Sequence, residues 1–201
     1  VLAYMYYKLK VNPMPRTVAS YEISRQTIWH CADENNIIVI ILDGECCFNI
    51  SNVSYELSKG DIILIPAGQE YVRKPVNNKA CRFAYVHFTL SEPIERISLE
   101  GYNDLLKVIV KEHYEKSSDI SKVVLPQIIK SCVDFDDIEI ILNNLLKEDR
   151  QSDGMSNYLA SLSLLQIILI MQKGILSPYS IKNDSSDTAG SRIVQTAVEY
   201  I

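Results

Sequence analysis

Histidine is scarce in this chain of 201 residues, with only His30, His87 and His113 present. Metal affinity needs converging nitrogen and oxygen ligands, and three scattered imidazoles mark no such set. We expect no metal and no other cofactor. The five cysteines form an odd set without CxxC spacing, which excludes a zinc ribbon or a thiol–disulfide motif. Cys46 and Cys47, as strand neighbours, would point to opposite faces, so reduced thiols in a cytoplasmic protein are expected. No basic run occurs and the net charge is −5, which disfavours this stretch as a nucleic-acid binder, because phosphate contacts need clustered lysine and arginine. The longest apolar run, Leu162 to Met171, is broken by Gln166 and falls short of a bilayer span. The N-terminus lacks a charged-then-apolar signal pattern, and we expect no membrane partner. No Ser/His/Asp or Cys/His arrangement marks a nucleophile with its base, so no enzyme is expected.

What is present is a hydrophobic share of 47% against 22% charged residues, enough for a core. Two regimes follow each other. Up to about Ile97, short runs of Ile, Val, Tyr and Phe alternate with turn signals. "NIIVIILDGECCFNI" predicts a hairpin at Asp43-Gly44, and "SYELSKGDIILIPAG" repeats the pattern with a turn at Lys59-Gly60-Asp61. "CRFAYVHFTL" predicts a strand with Phe83, Tyr85 and His87 on one face and Ala84, Val86 and Phe88 on the other. Strands at this spacing predict an antiparallel barrel or sandwich.

After Ser98 the period becomes helical. "YNDLLKVIVKEHYEK" predicts a helix, whereas Pro126 in "KVVLPQIIK" favours an extended segment. "DDIEIILNNLLKED" carries an apolar stripe behind N-terminal acids. "SNYLASLSLLQIILIMQKG" predicts a helix that ends at Gly174. This helix is apolar nearly all round, so it must be covered on several sides; burial in the fold and contact with a second copy both remain open. The polar stretch from Ser177 to Gly190 predicts a linker, and "SRIVQTAVEYI" predicts the start of another amphipathic helix and hence a further domain beyond this chain.

The spacing Gly60-x5-Pro66-x-Gly68 resembles the second motif of the cupin superfamily. Metal-dependent cupins place a histidine three residues after that glycine, and Tyr71 stands there. Taken in order, Arg25, Trp29 and His30, the turn at Asp43-Gly44, "LSKGDIILIPAGQEY" and "FAYVHFTL" resemble the effector-binding domain of AraC-family transcription regulators, and "SRIVQTAVEYI" is similar to the first helix of that family's DNA-binding domain. The resemblance implies an α+β fold: a cupin-like, jelly-roll barrel (residues 1–98), a helical dimerisation segment (99–175), a linker (176–190) and the start of a helix-turn-helix domain (191–201). It implies a small-molecule effector, often a sugar, a homodimer, and DNA bound through the part beyond Ile201. Two alternatives are a metal-dependent cupin enzyme and a plain carbohydrate-binding module.

Six residues are candidates for the ligand pocket. Arg25 offers a planar donor fork, and Trp29 a ring for a sugar face. Tyr71 takes the place of the metal ligand, Arg73 shares its strand face, and Tyr85 and His87 share the face of the late strand. Each has a plainer alternative, as core packing or rim charge. Leu159, Leu162, Gln166 and Leu169 are the candidate dimerisation residues on the long helix.

Overall fold

Glycine corners turn this chain from one sheet to another, and they organise the fold. A computed structural model describes residues 5–25, 28–77, 79–114, 121–151 and 153–180. Most of the expected linker and all of the expected helix at 191–201 lie outside these residues. In chain order the strands are β1 (Tyr6–Lys10), β2 (Arg16–Arg25), β3 (Trp29–Cys31), β4 (Asn36–Asp43), β5 (Glu45–Ile50), β6 (Val53–Ser58), β7 (Ile62–Ile65), β8 (Tyr71–Pro75), β9 (Cys81–Thr89) and β10 (Glu95–Ile97). They are followed by α1 (Leu99–Tyr114), β11 (Lys122–Pro126), β12 (Ile128–Ile129), α2 (Phe135–Asp149) and α3 (Gly154–Ser180). The class is α+β, with a jelly-roll-like barrel.

The larger sheet has the order β12-β7-β4-β9-β2 and the smaller β3-β8-β5-β6, with a third sheet β10-β1-β11. The Asp43-Gly44 turn is therefore not a hairpin, a correction to the sequence reading: β4 belongs to the larger sheet and β5 to the smaller. The turn at Lys59-Gly60-Asp61 crosses back in the same way. Both corners need a left-handed backbone, with φ of 77° at Gly44 and 89° at Gly60, which only glycine adopts without strain. At Gly44 a side chain would also meet the Ala80 carbonyl oxygen at 2.8 Å. The real hairpin is β5–β6, closed by Ser51 and Asn52, both at positive φ, a two-residue turn that suits strand twist.

Asp61 holds the second corner. Its carboxylate is 1% exposed and accepts hydrogen bonds from the Ser58 and Ser131 backbone N–H groups at 2.8 and 2.9 Å and from Lys130 Nζ at 2.7 Å. The Gly-Asp pair so ties the end of β6 to the segment leading into α2.

Side chains alternate across β9. Phe83, Tyr85 and His87 face the smaller sheet, and Ala84, Val86 and Phe88 the other way. The helices cover that outer side, with α2 and α3 packed against each other and against β2. Thr17 N–H donates to Ser161 Oγ (3.1 Å) and Ser20 N–H to Asp149 (2.7 Å). Ile38, Ile40, Ile62 and Leu64 are fully buried, each contributing roughly 1.5–3 kcal/mol. The stretch with Pro126 is β11, extended as expected, and it pairs antiparallel with β1; β12 joins β7. The span 99–175 therefore contributes two strands as well as its helices.

Helix α3 starts on a cap: Asp153 accepts from the backbone N–H of Met155 and Ser156, both at 2.9 Å. It does not stop at Gly174 but continues to Ser180. Ile175 and Leu176 pack against the cluster of Tyr6, Tyr102, Leu106 and Val124, burial that offsets the roughly 1 kcal/mol helix penalty of glycine. Residues Gly154–Leu176, with mean hydropathy 1.8, are long and apolar enough to cross a bilayer, so the expectation that the segment is too short does not hold for the whole helix. One flank of it is core: Ala160, Leu164, Ile167, Ile168 and Met171 are at most 1% exposed.

Candidate functional site

Strand register puts five of the six expected pocket residues on two facing surfaces, Tyr71, Arg73, Tyr85 and His87 buried and Trp29 at the rim. On the smaller sheet, Cys31 stands opposite Tyr71 and Trp29 opposite Arg73, while Phe48 and Ile50 flank Arg73 and Tyr71 on the other side. Directly opposed residues share a face, so these six line one surface. On the larger sheet Tyr21 stands opposite Tyr85 and Ile23 opposite Phe83. The two surfaces meet inside the barrel, where the Arg73 guanidinium carbon sits 4.6 Å from the Phe83 ring centroid, a cation–π contact.

Around this contact is an aromatic box. Phe48 stacks on Tyr71 at 5.8 Å, Phe83 meets Tyr85 edge-on at 5.2 Å, and Tyr21 lies 5.4 Å from Tyr85 and 5.6 Å from His87. Tyr71, Arg73 and Tyr85 are all at most 5% exposed. Burial pushes the Tyr71 phenol far above its ordinary range, and nearby Tyr85 and Cys31 add to the shift. Burial also pushes Tyr85 up to about 12. Both are kept as neutral hydroxyls. Behind them, Cys46 and Cys81 form a buried pair: the hydrogen bond between them raises Cys46 and lowers Cys81, which Arg73 lowers further.

His87 occupies the polar end. Its Nδ1 is 3.1 Å from Asp33 Oδ2, and its Nε2 is 3.4 Å from the Tyr21 hydroxyl. Asp33 is held by its loop, where its main-chain oxygen accepts from Gly68 N–H at 2.7 Å and its Oδ1 from Asn35 N–H at 2.8 Å. Among the described residues no three His, Cys, Asp or Glu side chains come together in a way that could hold a metal ion.

Trp29 is on the rim: it shares Arg73's face but belongs to the edge strand β3 and is 56% exposed. Arg25 ends β2, opposite Cys81. The arrangement offers flat ring faces, a guanidinium fork, phenol hydroxyls and an imidazole, the chemistry of a site that binds a small polar molecule. Tyr21, Asp33, Phe48 and the three thiols were not among the sequence candidates. The alternation of "SYEIS" would have marked Tyr21 once that stretch was read as a strand; Asp33 reaches His87 only through the fold. Of the expected dimerisation residues on α3, Leu159 and Gln166 are exposed and Leu162 and Leu169 half-buried.

Residues 17–98 match the family model of the AraC-like ligand binding domain, a span that contains all six pocket candidates. No curated protein matches the chain. Solved structures similar to the chain include the Clostridium difficile EutQ protein (18% identity, 43% of this chain and 70% of that one, TM-score 0.33). Another is an RmlC-like cupin family protein with a double-stranded β-helix fold from Methanocaldococcus jannaschii (16% identity, 34% and 64%, TM-score 0.30). A third is a Thermotoga maritima protein of the DUF861 family (19% identity, 35% and 76%, TM-score 0.29). Less than half of this chain takes part in each likeness.

Proposed function

We propose that the chain is the ligand-sensing and dimerising part of a cytoplasmic AraC-type transcription regulator, and not an enzyme. The observation that carries this reading is the convergence of Tyr71, Arg73, Tyr85 and His87 inside the stretch matched as an AraC-like ligand binding domain. The effector is a sugar or sugar acid. Trp29 supplies a rim ring for its C–H face, and the Arg73 fork takes a hydroxyl pair or a carboxylate.

Two copies pair through α3. Met155, Tyr158 and Leu159 are exposed at 69%, 56% and 40%, and with Leu162, Gln166 and Leu169 they lie at three- and four-residue steps along one side of the helix. A second copy is the occupant that fits a self-complementary apolar stripe. DNA is bound through residues beyond Ile201, and the effector acts by preferring one arrangement of the parts.

Trp29 is the only tryptophan, so its emission reports arrival of a ligand. Titration with monosaccharides and their uronic acids is expected to shift that emission for one class. Tyr71→Ala should weaken the response at least about tenfold, a loss near 1.4 kcal/mol. A full response in Tyr71→Ala would move the site out of the barrel.

A further inference from the structure

A cleft of about 710 Å³ opens at the end of the smaller sheet, between the turn at Ser51-Asn52, the segment Gly68–Glu70 and the end of β3. It meets the barrel cluster only at Tyr71 and Cys31; its other walls include His30, Asn49, Ser51, Asn52, Gln69 and Glu70. The volume falls within the usual range of small-molecule sites.

Its polar groups are positioned from behind. Gln69 Oε1 accepts from the Tyr7 hydroxyl at 3.4 Å and from Gln127 Nε2 at 3.3 Å, and Gln69 Nε2 donates to Ser51 Oγ at 3.4 Å. Tyr7 and Gln127 are 2% and 1% exposed. Gln127 Oε1 accepts from the Tyr55 hydroxyl at 3.2 Å, and its main chain bonds Met5 and Leu64. A buried ladder of amides and phenols so fixes one wall, the kind of support that pre-organises a site. Ser51 and Asn52 are presented by the tight β5–β6 turn, at φ of 51° and 65°.

Among the described lining residues the one carboxylate has no lysine or arginine beside it, and His30 is the one basic side chain. That carboxylate is Glu70. Asp33 and Glu34 lie in the adjoining loop, and Asp33 is already engaged with His87. The barrel interior, with Arg73, suits hydroxyls or an anion; the cleft suits the opposite charge.

We propose that this cleft is a second ligand site, for a small molecule carrying a protonated amine beside hydroxyl or amide groups, with Glu70 as the counter-ion and Asn49, Ser51, Asn52 and Gln69 as hydrogen-bond partners. It goes beyond the barrel site and does not depend on it. Calorimetric titration of the 201-residue chain with glucosamine, and with N-acetylglucosamine as the uncharged counterpart, tests it. Glucosamine is expected to bind about tenfold more tightly or better, with a preference that weakens as salt rises. Glu70→Gln should abolish that preference, while Glu34→Gln keeps it. Glu70 is exposed, so unfolding curves of the variant should match the parent and separate lost binding from lost fold. Equal affinity for the two compounds, a preference that survives Glu70→Gln, or binding by neither would overturn the proposal. Binding that ignores Glu70→Gln but falls in Tyr85→Phe would put the ligand in the barrel, refuting the cleft site and leaving the reading above intact.

Discussion

Trp29 on β3 stands directly opposite Arg73 on β8, so an exposed indole and a buried guanidinium share one face of the smaller sheet. The pair spans the site from solvent to interior. Trp29→Ala should weaken effector binding about tenfold and leave stability within about 0.5 kcal/mol, as surface substitutions do. Calorimetry together with urea unfolding checks both halves. A Trp29→Ala variant that loses stability but not affinity would make the indole a packing residue.

Asp61 predicts a different signature. Its carboxylate joins two backbone N–H groups and Lys130 while 1% exposed. Asp61→Ala leaves those donors unsatisfied, so it should cost about 2–4 kcal/mol in urea unfolding. Lys130→Ala, which leaves both backbone N–H bonds to the carboxylate in place, should cost less than Asp61→Ala.

Alkaline pH tests the phenols. Tyr71 and Tyr85 both titrate above the ordinary 10.0 of tyrosine in the folded chain, because burial disfavours phenolate. A raised value stabilises the fold fully below pH 10, and that contribution is lost as pH rises through the folded value, about 12 for Tyr85. Each group steepens the loss by up to about 1.4 kcal/mol per pH unit. Tyr71→Phe and Tyr85→Phe should each flatten the decline between pH 10 and 12; identical slopes in parent and variants would mean the phenols ionise freely.

The dimer reading is tested on α3. Leu162→Glu or Leu169→Glu places a charge in the stripe, where an unpaired ion is costly. Sedimentation equilibrium should find the parent dimeric and the variants at least about a hundredfold weaker in association. Unchanged association would refute this face.

Much of this was legible in the sequence, for a physical reason. The β9 alternation alone places Phe83, Tyr85 and His87 on one face, because strand side chains alternate strictly. The Gly60 and Gly44 corners were legible as turns, but a turn residue does not say which sheet the next strand joins. For that reason Asp43-Gly44 read as a hairpin when it is a crossing between sheets. Strands β1 and β2 went unread: "YYKLK" is short, and β2 is an edge strand that leaves Val18 and Tyr21 exposed at 50% and 43%, which blurs its alternation. The end of α3 was misplaced because Gly174 signals a stop locally, while Ile175 and Leu176 gain burial from Tyr6, Tyr102, Leu106 and Val124, far away in sequence. His87–Asp33 joins residues 54 positions apart (87 − 33) through a loop contact that no local pattern encodes.

The most direct measurement of the central claim is a thermal-shift screen of the chain against sugars, sugar acids, sugar phosphates and organic acids. Each runs with and without chelator, and divalent metals have wells of their own. A ligand at a hundred times its dissociation constant adds about 2.7 kcal/mol. The account predicts stabilisation by one metabolite class, indifferent to chelator and reduced in Arg73→Lys, whose ammonium lacks the planar fork. Stabilisation by iron, manganese or zinc that chelator abolishes would contradict it and make the barrel a metal site.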